Sequence, residues 1–295
     1  MKKKKRSRAD ITFNIVNFIV LGLFCALTLY PILNTLAISL NDGMDAIRGG
    51  IYLIPRKFTW QNFYTVVTQD NMLIAIRITV LRTVIATFLS MFVTALLAYV
   101  LSRKEFLFAK QVSLIFVLTM YVSGGLVPTL LLMKGLGLTN NFLVYIIPGA
   151  ISAFNMIVIR TFMNGLPDSF VESAQVDGAG HLKIFFRIVL PLCKPVMATV
   201  ALFIAVGQWN SWFDAMLYNQ NRPDLTTLQY ELMKLLSSVS QQQGSASLMK
   251  HAASQVTPVS IRSATAIFTA APIVMLYPFL QRYFISGMMI GGVKE

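Results

Sequence analysis

The stretch Val206-Gly207-Gln208-Trp209-Asn210-Ser211-Trp212-Phe213-Asp214 sets indoles, amides and a carboxylate side by side in an otherwise apolar segment. Aromatic faces stack on the C–H groups of sugar rings, while amides and carboxylates hydrogen-bond to the hydroxyls. Gln208, Trp209, Asn210 and Trp212 are therefore candidates for lining the path of a polyhydroxylated solute, and Asn155 supplies a further amide. The same residues have a structural use. Tryptophan anchors helices at a membrane boundary, and a buried amide ties neighbouring helices together. Both readings stay open at the level of sequence.

Other chemistries find no support. The two histidines, His181 and His251, fall on opposite predicted sides of the membrane, so they cannot share a metal. Cys25 lies in the first apolar run and Cys193 follows a predicted inner loop, so neither a disulfide nor a metal site is expected. A Ser–His or paired-aspartate site within the apolar runs would mark an intramembrane hydrolase, and neither is present. A G-x-x-x-x-G-K-[ST] phosphate loop is absent, and Gly124-Gly125 and Gly135–Gly137 lead into none. The chain is thus expected to need energy from another subunit and to hold no cofactor of its own. Ion-coupled transporters place charges deep in the membrane. Here Asp214 lies close to the predicted outer end of the fifth span, and Arg77 and Arg82 near that of the second.

A second segment has telling spacing: Leu166-Pro167-Asp168-Ser169-Phe170-Val171-Glu172-Ser173-Ala174-Gln175-Val176-Asp177-Gly178-Ala179-Gly180-His181, then Leu182 to Pro191. Ser169 and Glu172 fit an S-x-x-E capping box, which predicts a short helix from about Phe170. Gly178 suits the left-handed residue that ends such a helix. A second amphipathic piece, Leu182 to Leu190, is expected to stop at Pro191. On spacing alone this is a surface helix pair joined at a glycine hinge.

The elements that must position these residues are membrane spans. Of the 295 residues 56% are hydrophobic and only 13% charged, and the mean hydropathy is +0.65. Soluble domains carry about 25% charged residues, so the polar surface is too small to wrap a water-soluble globule. A spanning helix needs about 20 apolar residues, and six candidates emerge: about 13–40, 74–101, 112–133, 142–162, 195–217 and 261–285. The fold class is an all-α integral membrane protein. The first apolar run is too long for a cleaved signal peptide and reads as an uncleaved span. The expected divisions are a basic N-terminus over 1–12, a six-span domain over 13–285 containing the loop 166–194, and a tail over 286–295.

Orientation follows the Lys/Arg bias. With the N-terminus inside, the inner segments hold Lys2–Lys5, Arg6, Arg8, Arg103, Lys104, Lys110, Arg160, Lys183, Arg187, Lys194, Arg282 and Lys294, which is 15 of the 25 basic residues. Both termini are then cytoplasmic. The net charge of +13 reads as membrane anchoring rather than nucleic-acid binding, because it gathers at the ends of apolar runs. Two longer outer loops are expected, from Asn41 to about Leu73 and from Tyr218 to about Ser260. In the second, Leu225 to Leu236 reads as a short helix and the Gln/Ser/Ala-rich Ser237 to Gln255 as flexible.

Glu172, Ser173, Ala174, Asp177, Gly178 and Ala179, followed by Phe185, Ile188, Leu190 and Pro191, resemble the E-A-A-x-x-D-G-A…F-x-x-I-x-L-P signature of ABC importer permeases. Ser173 stands where an alanine is usual, a small-for-small change, and the interval from Gly178 to Ile188 matches the family spacing. The tail, Gln281-Arg282-Tyr283-Phe284 and Gly291-Gly292-Val293-Lys294, looks like the maltose-permease-like carbohydrate branch. The run from Asn41-Asp42-Gly43 to Gly49-Gly50-Ile51-Tyr52 is similar to the LplC-like permeases of oligo- and polysaccharide systems. The resemblance implies a type I importer permease fold in the bacterial cell membrane and a sugar as substrate. It implies four kinds of company: the bilayer, a second homologous permease, two ATP-binding subunits that hold ATP and Mg, and an extracytoplasmic solute-binding protein. It makes this chain a transport subunit rather than an enzyme. It also implies that Ser169, Glu172, Ser173, Ala174, Asp177, Gly178 and Ala179 form the coupling helix seated on the ATPase.

Overall fold

The computed structural model describes residues 8–68, 70–242 and 256–292, whose regular structure is helical, with one isolated bridge between Asn41 and Phe58. In chain order the helices are α1 (Arg8–Ser39), α2 (Gly43–Ile47), α3 (Gln61–Thr68), α4 (Asp70–Ser102), α5 (Ala109–Tyr121), α6 (Leu126–Gly135), α7 (Ala153–Asn164), α8 (Ser169–Val176), α9 (His181–Ile184), α10 (Leu190–Leu192), α11 (Lys194–Asn210), α12 (Phe213–Tyr218), α13 (Leu228–Gln242) and α14 (Pro258–Gly292). Single 3₁₀ turns form at Phe142–Tyr145 and Pro223–Leu225, and a π-helical stretch at Phe185–Val189 joins α9 to α10.

The apolar runs become helices of unequal continuity. Ile11–Ser39, Asn71–Ser102 and Pro258–Leu276 are each long and apolar enough to cross a bilayer. The expected third span, 112–133, is instead α5 and α6, bent by 117°. Gly125 takes φ +85 at the break, a region that favours glycine, and Val122 is extended. The expected fourth span, 142–162, is the 3₁₀ turn plus the twelve-residue α7. Pro148 and Gly149 lie between them, and Ser152 restarts the helix by accepting from the Asn155 N–H at 3.3 Å. The expected fifth span, 195–217, breaks at Ser211, so α11 and α12 are separate. In the segment expected as the last outer loop the helix is α13, longer than the Leu225–Leu236 expected, and 243–255 lie outside the described residues.

The described residues form two compact units, one of 8–68, 234–242 and 256–270, the other of 70–233 and 271–292. In the first, the loop after α1 is tied by backbone and amide bonds. Asn62 Nδ2 donates to the carbonyls of Ser39 (2.9 Å) and Asn41 (2.8 Å), and Asn34 Nδ2 to that of Ile51 (2.7 Å). Asp45 accepts from Asn41 and from Arg56, each at 3.0 Å, and these hydrogen bonds hold its carboxyl below the usual carboxylate range.

In the second unit α4 is the central post. Its small and aromatic residues Ala95, Ala98 and Tyr99 pack with Met156, Ile159 and Met163 of α7 and with Val196 and Val200 of α11. Alanines let the helix backbones approach closely, the usual means of association in a bilayer. The same core takes Val171 and Ala174 of α8 and Phe185 of the π-helical stretch.

Candidate functional site

The loop motif folds into a short helix fixed on one side and open on the other. Val171 and Ala174, one turn apart, point into the core. Ser173 and Glu172 are exposed, and so are Phe170 and Val176, the latter 88% exposed. Ala174 is therefore small because it lies against the core, which makes it a positioning residue. The apolar Phe170 and Val176 project outward, and the signature alone gave no reason to choose them.

The helix end closes as the glycine predicted. The Ala179 N–H donates to the Ala174 carbonyl and the Gly178 N–H to the Gln175 carbonyl, both at 2.9 Å, with Gly178 at φ +74. This is a Schellman closure, and Ala179 packs on the core beside it. The helix start corrects the expectation. It begins at Ser169 rather than Phe170, its N-cap is Asp168, and no side chain caps it, so the capping box does not form. Asp168 is drawn instead to Lys104, with a 2.5 Å ion pair. Each holds the other charged: the Lys104 ammonium lowers the Asp168 carboxyl, and Asp168 raises Lys104. Both are exposed, so the pair fixes direction more than it adds stability.

Two further bonds tie the loop to the end of α4. Gln175 Nε2 donates to Glu105 Oε1 at 3.4 Å, and Tyr99 Oη lies 3.3 Å from His181 Nδ1. Beyond α9 the chain does not stop at Pro191 as expected. Proline lacks the N–H for an ordinary turn, and the turn before it widens to a π-helix. The helix then runs on to Leu192 and turns by 84° into α11. The loop thus passes from α7 to α11 through short, braced segments that pack into the core shared by α4, α7 and α11.

Within the N-terminal half of α4 is a buried charge cluster. Arg82 is 1% exposed. Its guanidinium donates to Gln208 Oε1 (2.8 and 3.1 Å), to the Ser211 carbonyl (3.4 Å) and to both carboxylate oxygens of Asp214, with Nη1–Oδ1 at 3.1 Å. It also lies 4.3 Å above the Tyr145 ring. Its partners come before, at and after the break between α11 and α12. A broken helix in a membrane protein persists where its freed groups find partners, and Arg82 donates to one of them, the Ser211 carbonyl.

The residues expected along a solute path divide around this break. Gln208 turns its amide oxygen to Arg82. Trp209 lines an apolar cleft of about 200 Å³ with Val80, Val84, Ala205 and Pro272. Asn210 is exposed at the end of α11, Trp212 meets Phe213 edge-on at 5.8 Å, and Asn155 is buried on α7. Arg82 and Asp214 were legible as charges near span ends, but their partnership was not. Among the described residues no cluster of His, Cys, Asp or Glu could hold a metal ion.

The sequence profile of the family described as "Binding-protein-dependent transport system inner membrane component" matches residues 5–290. The chain belongs to this family. It is a membrane-embedded transport permease with the type I fold. The polygalacturonan/rhamnogalacturonan transport system permease protein YtcP of Bacillus subtilis (strain 168) is 34% identical over 282 residues, covering 96% of this chain and 98% of its own. Protein LplC of the same organism is 34% identical over 290 residues, covering 98% and 97%. A subunit of a bacterial ABC transporter involved in the import of the acidic polysaccharide alginate superposes with a TM-score of 0.87 at 28% identity, covering 96% of this permease and 100% of that chain. The 169–179 loop and the Arg82 cluster are therefore features of a transport subunit.

Proposed function

We propose that this permease is one half of the membrane path of an ATP-driven importer for oligosaccharides or polysaccharide fragments. A second, homologous permease completes the path, an extracytoplasmic binding protein delivers the sugar, and two ATP-binding subunits hold ATP and Mg and carry out hydrolysis. The observation that carries the coupling role is the form of α8: one face locked to the core by Val171 and Ala174, the other presenting Phe170, Glu172, Ser173 and Val176. Ser169, Asp177, Gly178 and Ala179 shape its two ends. A helix braced in this way moves as a body with α4, α7 and α11, which is what transmission requires. The names of the relatives support a carbohydrate, and those naming galacturonan and alginate make acidic oligosaccharides the first probes to try. The test is uptake by the complete complex in vesicles. Oligogalacturonate or alginate oligomers should be accumulated with ATP inside, and uptake of neither these nor neutral maltodextrins would sink the sugar assignment.

The six-span orientation, with 1–12 and 286–295 inside, makes its own prediction. With Cys25 and Cys193 removed, a single cysteine at Asn221 should react with an impermeant maleimide added to sealed cells, and one at Gly180 only after lysis. Labelling of both from outside would reverse or refute the arrangement.

The solute path is proposed along the broken fifth span. Trp209→Ala and Asn210→Ala should each reduce uptake several-fold while ATP hydrolysis without substrate stays near the parental rate, since one lost stacking ring is worth roughly 1 kcal/mol. Parental uptake in both variants would make Gln208, Trp209, Asn210, Trp212 and Asn155 scaffold.

A further inference from the structure

Beside the start of α8 the structure holds a cleft of about 630 Å³ between the end of α4, the loop to α5, the first turn of α5 and the end of α7. Arg103, Lys104, Lys110 and Arg160 line it, and Asp168 is the one carboxylate among its lining residues. Asp168 is occupied by Lys104. Arg103 donates to Ser102 Oγ at 3.0 Å and stacks over the Tyr99 ring, and Arg160 donates to Ser113 Oγ. Neither guanidinium has a counter-ion among the described residues, nor does Lys110. The Arg160 Nε is buried and has no hydrogen-bond partner. That N–H is closed off by protein, so what calls for an anion is the cleft's lining of cations without counter-ions, Arg103, Lys110 and Arg160.

The surroundings say what kind of acceptor. No residue of α5 is buried. Lys110, Leu114 and Leu118 fall on one stripe of it at helical spacing, opposite the face whose Val112 and Phe116 pack on the core, and Leu107, 85% exposed, sits in the turn just before it, so an apolar track leads out of the basic cleft along the exposed face of α5. A soluble anion has no use for that track, whereas acyl chains do. Basic pockets between membrane helices suit phosphate-bearing lipid headgroups. We propose that this cleft binds the phosphate of an anionic phospholipid from the leaflet bordering α8, with Arg160 and Lys110 as its main donors and the acyl chains on Leu107, Leu114 and Leu118. In the orientation proposed above that is the inner leaflet, but the site does not depend on that orientation.

The test uses the complete transporter, reconstituted in phosphatidylcholine containing phosphatidylglycerol as a minor component. The complex is re-extracted in mild detergent and its retained lipid measured by mass spectrometry. Phosphatidylglycerol should be enriched over the bulk ratio. Lys110→Gln should lower the enrichment, Lys110→Gln with Arg160→Gln should lower apparent affinity roughly tenfold or more, and Arg160→Lys should keep most of it. Lys110 is exposed and makes no ion pair among the described residues, so its variant tests the site even where Arg160→Gln disturbs folding. Excess inorganic phosphate should leave the lipid in place. The proposal falls if the parental complex shows no enrichment, if the double variant keeps it, or if phosphate displaces the lipid. It also falls if the isolated chain enriches the lipid and the complete complex does not, because the cleft would then belong to a protein partner.

Discussion

Arg82→Leu is expected to be the most damaging single substitution in the chain. It removes the only cation bound to Asp214 among the described residues, and it leaves Gln208 Oε1 and the Ser211 carbonyl without their donor. Removing one partner of a buried ion pair costs about 3–5 kcal/mol. Asp214 is 22% exposed and can recover some water, so about 3 kcal/mol is expected. The loss should appear as a lower thermal midpoint of the solubilised protein and as reduced abundance in membranes. The partner variant separates charge from packing. Replacing a buried pair by apolar residues is often neutral, so Arg82→Leu with Asp214→Leu should recover much of the stability. It should not recover transport in full, because the Ser211 carbonyl remains unsatisfied and the break between α11 and α12 loses its brace. A parental midpoint for Arg82→Leu alone would mean that water or the second permease already satisfies Asp214.

That cluster also marks where sequence reasoning ends. The long apolar runs of α1, α4 and α14 are legible because a bilayer demands continuous length, and the left-handed Gly178 is legible because few residues take positive φ. The breaks at Gly124-Gly125 and Pro148-Gly149 carried ordinary turn signals, but averaging hydropathy across a whole span hides them. Arg82 is separated from Gln208 by 126 positions and from Asp214 by 132, and nothing local to either reveals the other. The capping box failed for a similar reason. Lys104, 64 positions before Asp168, reorders the start of α8, and a rule written on four consecutive residues cannot see it. The outward placing of Phe170 and Val176 follows from which face of α8, that of Val171 and Ala174, is buried in the core, a fact of tertiary packing.

Gly178→Val is expected to uncouple the transporter without unfolding it. Gly178 holds φ +74, and a Cβ there meets nothing within 4 Å. The penalty is therefore backbone strain alone, about 1–2 kcal/mol for an L-residue at a left-handed position and at the upper end for a β-branched one. That is small beside the energy holding the spans, so membrane abundance should stay near normal. It is large for the loop, because the strain falls on the two Schellman bonds that set the direction of α8. If coupling depends on that direction, retention of the ATP-binding subunits should weaken roughly tenfold, or substrate should cease to stimulate hydrolysis in vesicles. Asparagine distinguishes the two ways this could arise, since it tolerates the left-handed region far better than valine. Gly178→Asn should be close to parental if backbone conformation is the cause. If Asn is as harmful as Val, the glycine serves close approach of the partner, and the open space beside it is filled in the assembled transporter. Stimulated hydrolysis and uptake both unchanged in Gly178→Val would reduce the 169–179 loop to a cap on the helix bundle and leave the proposed coupling without its residue.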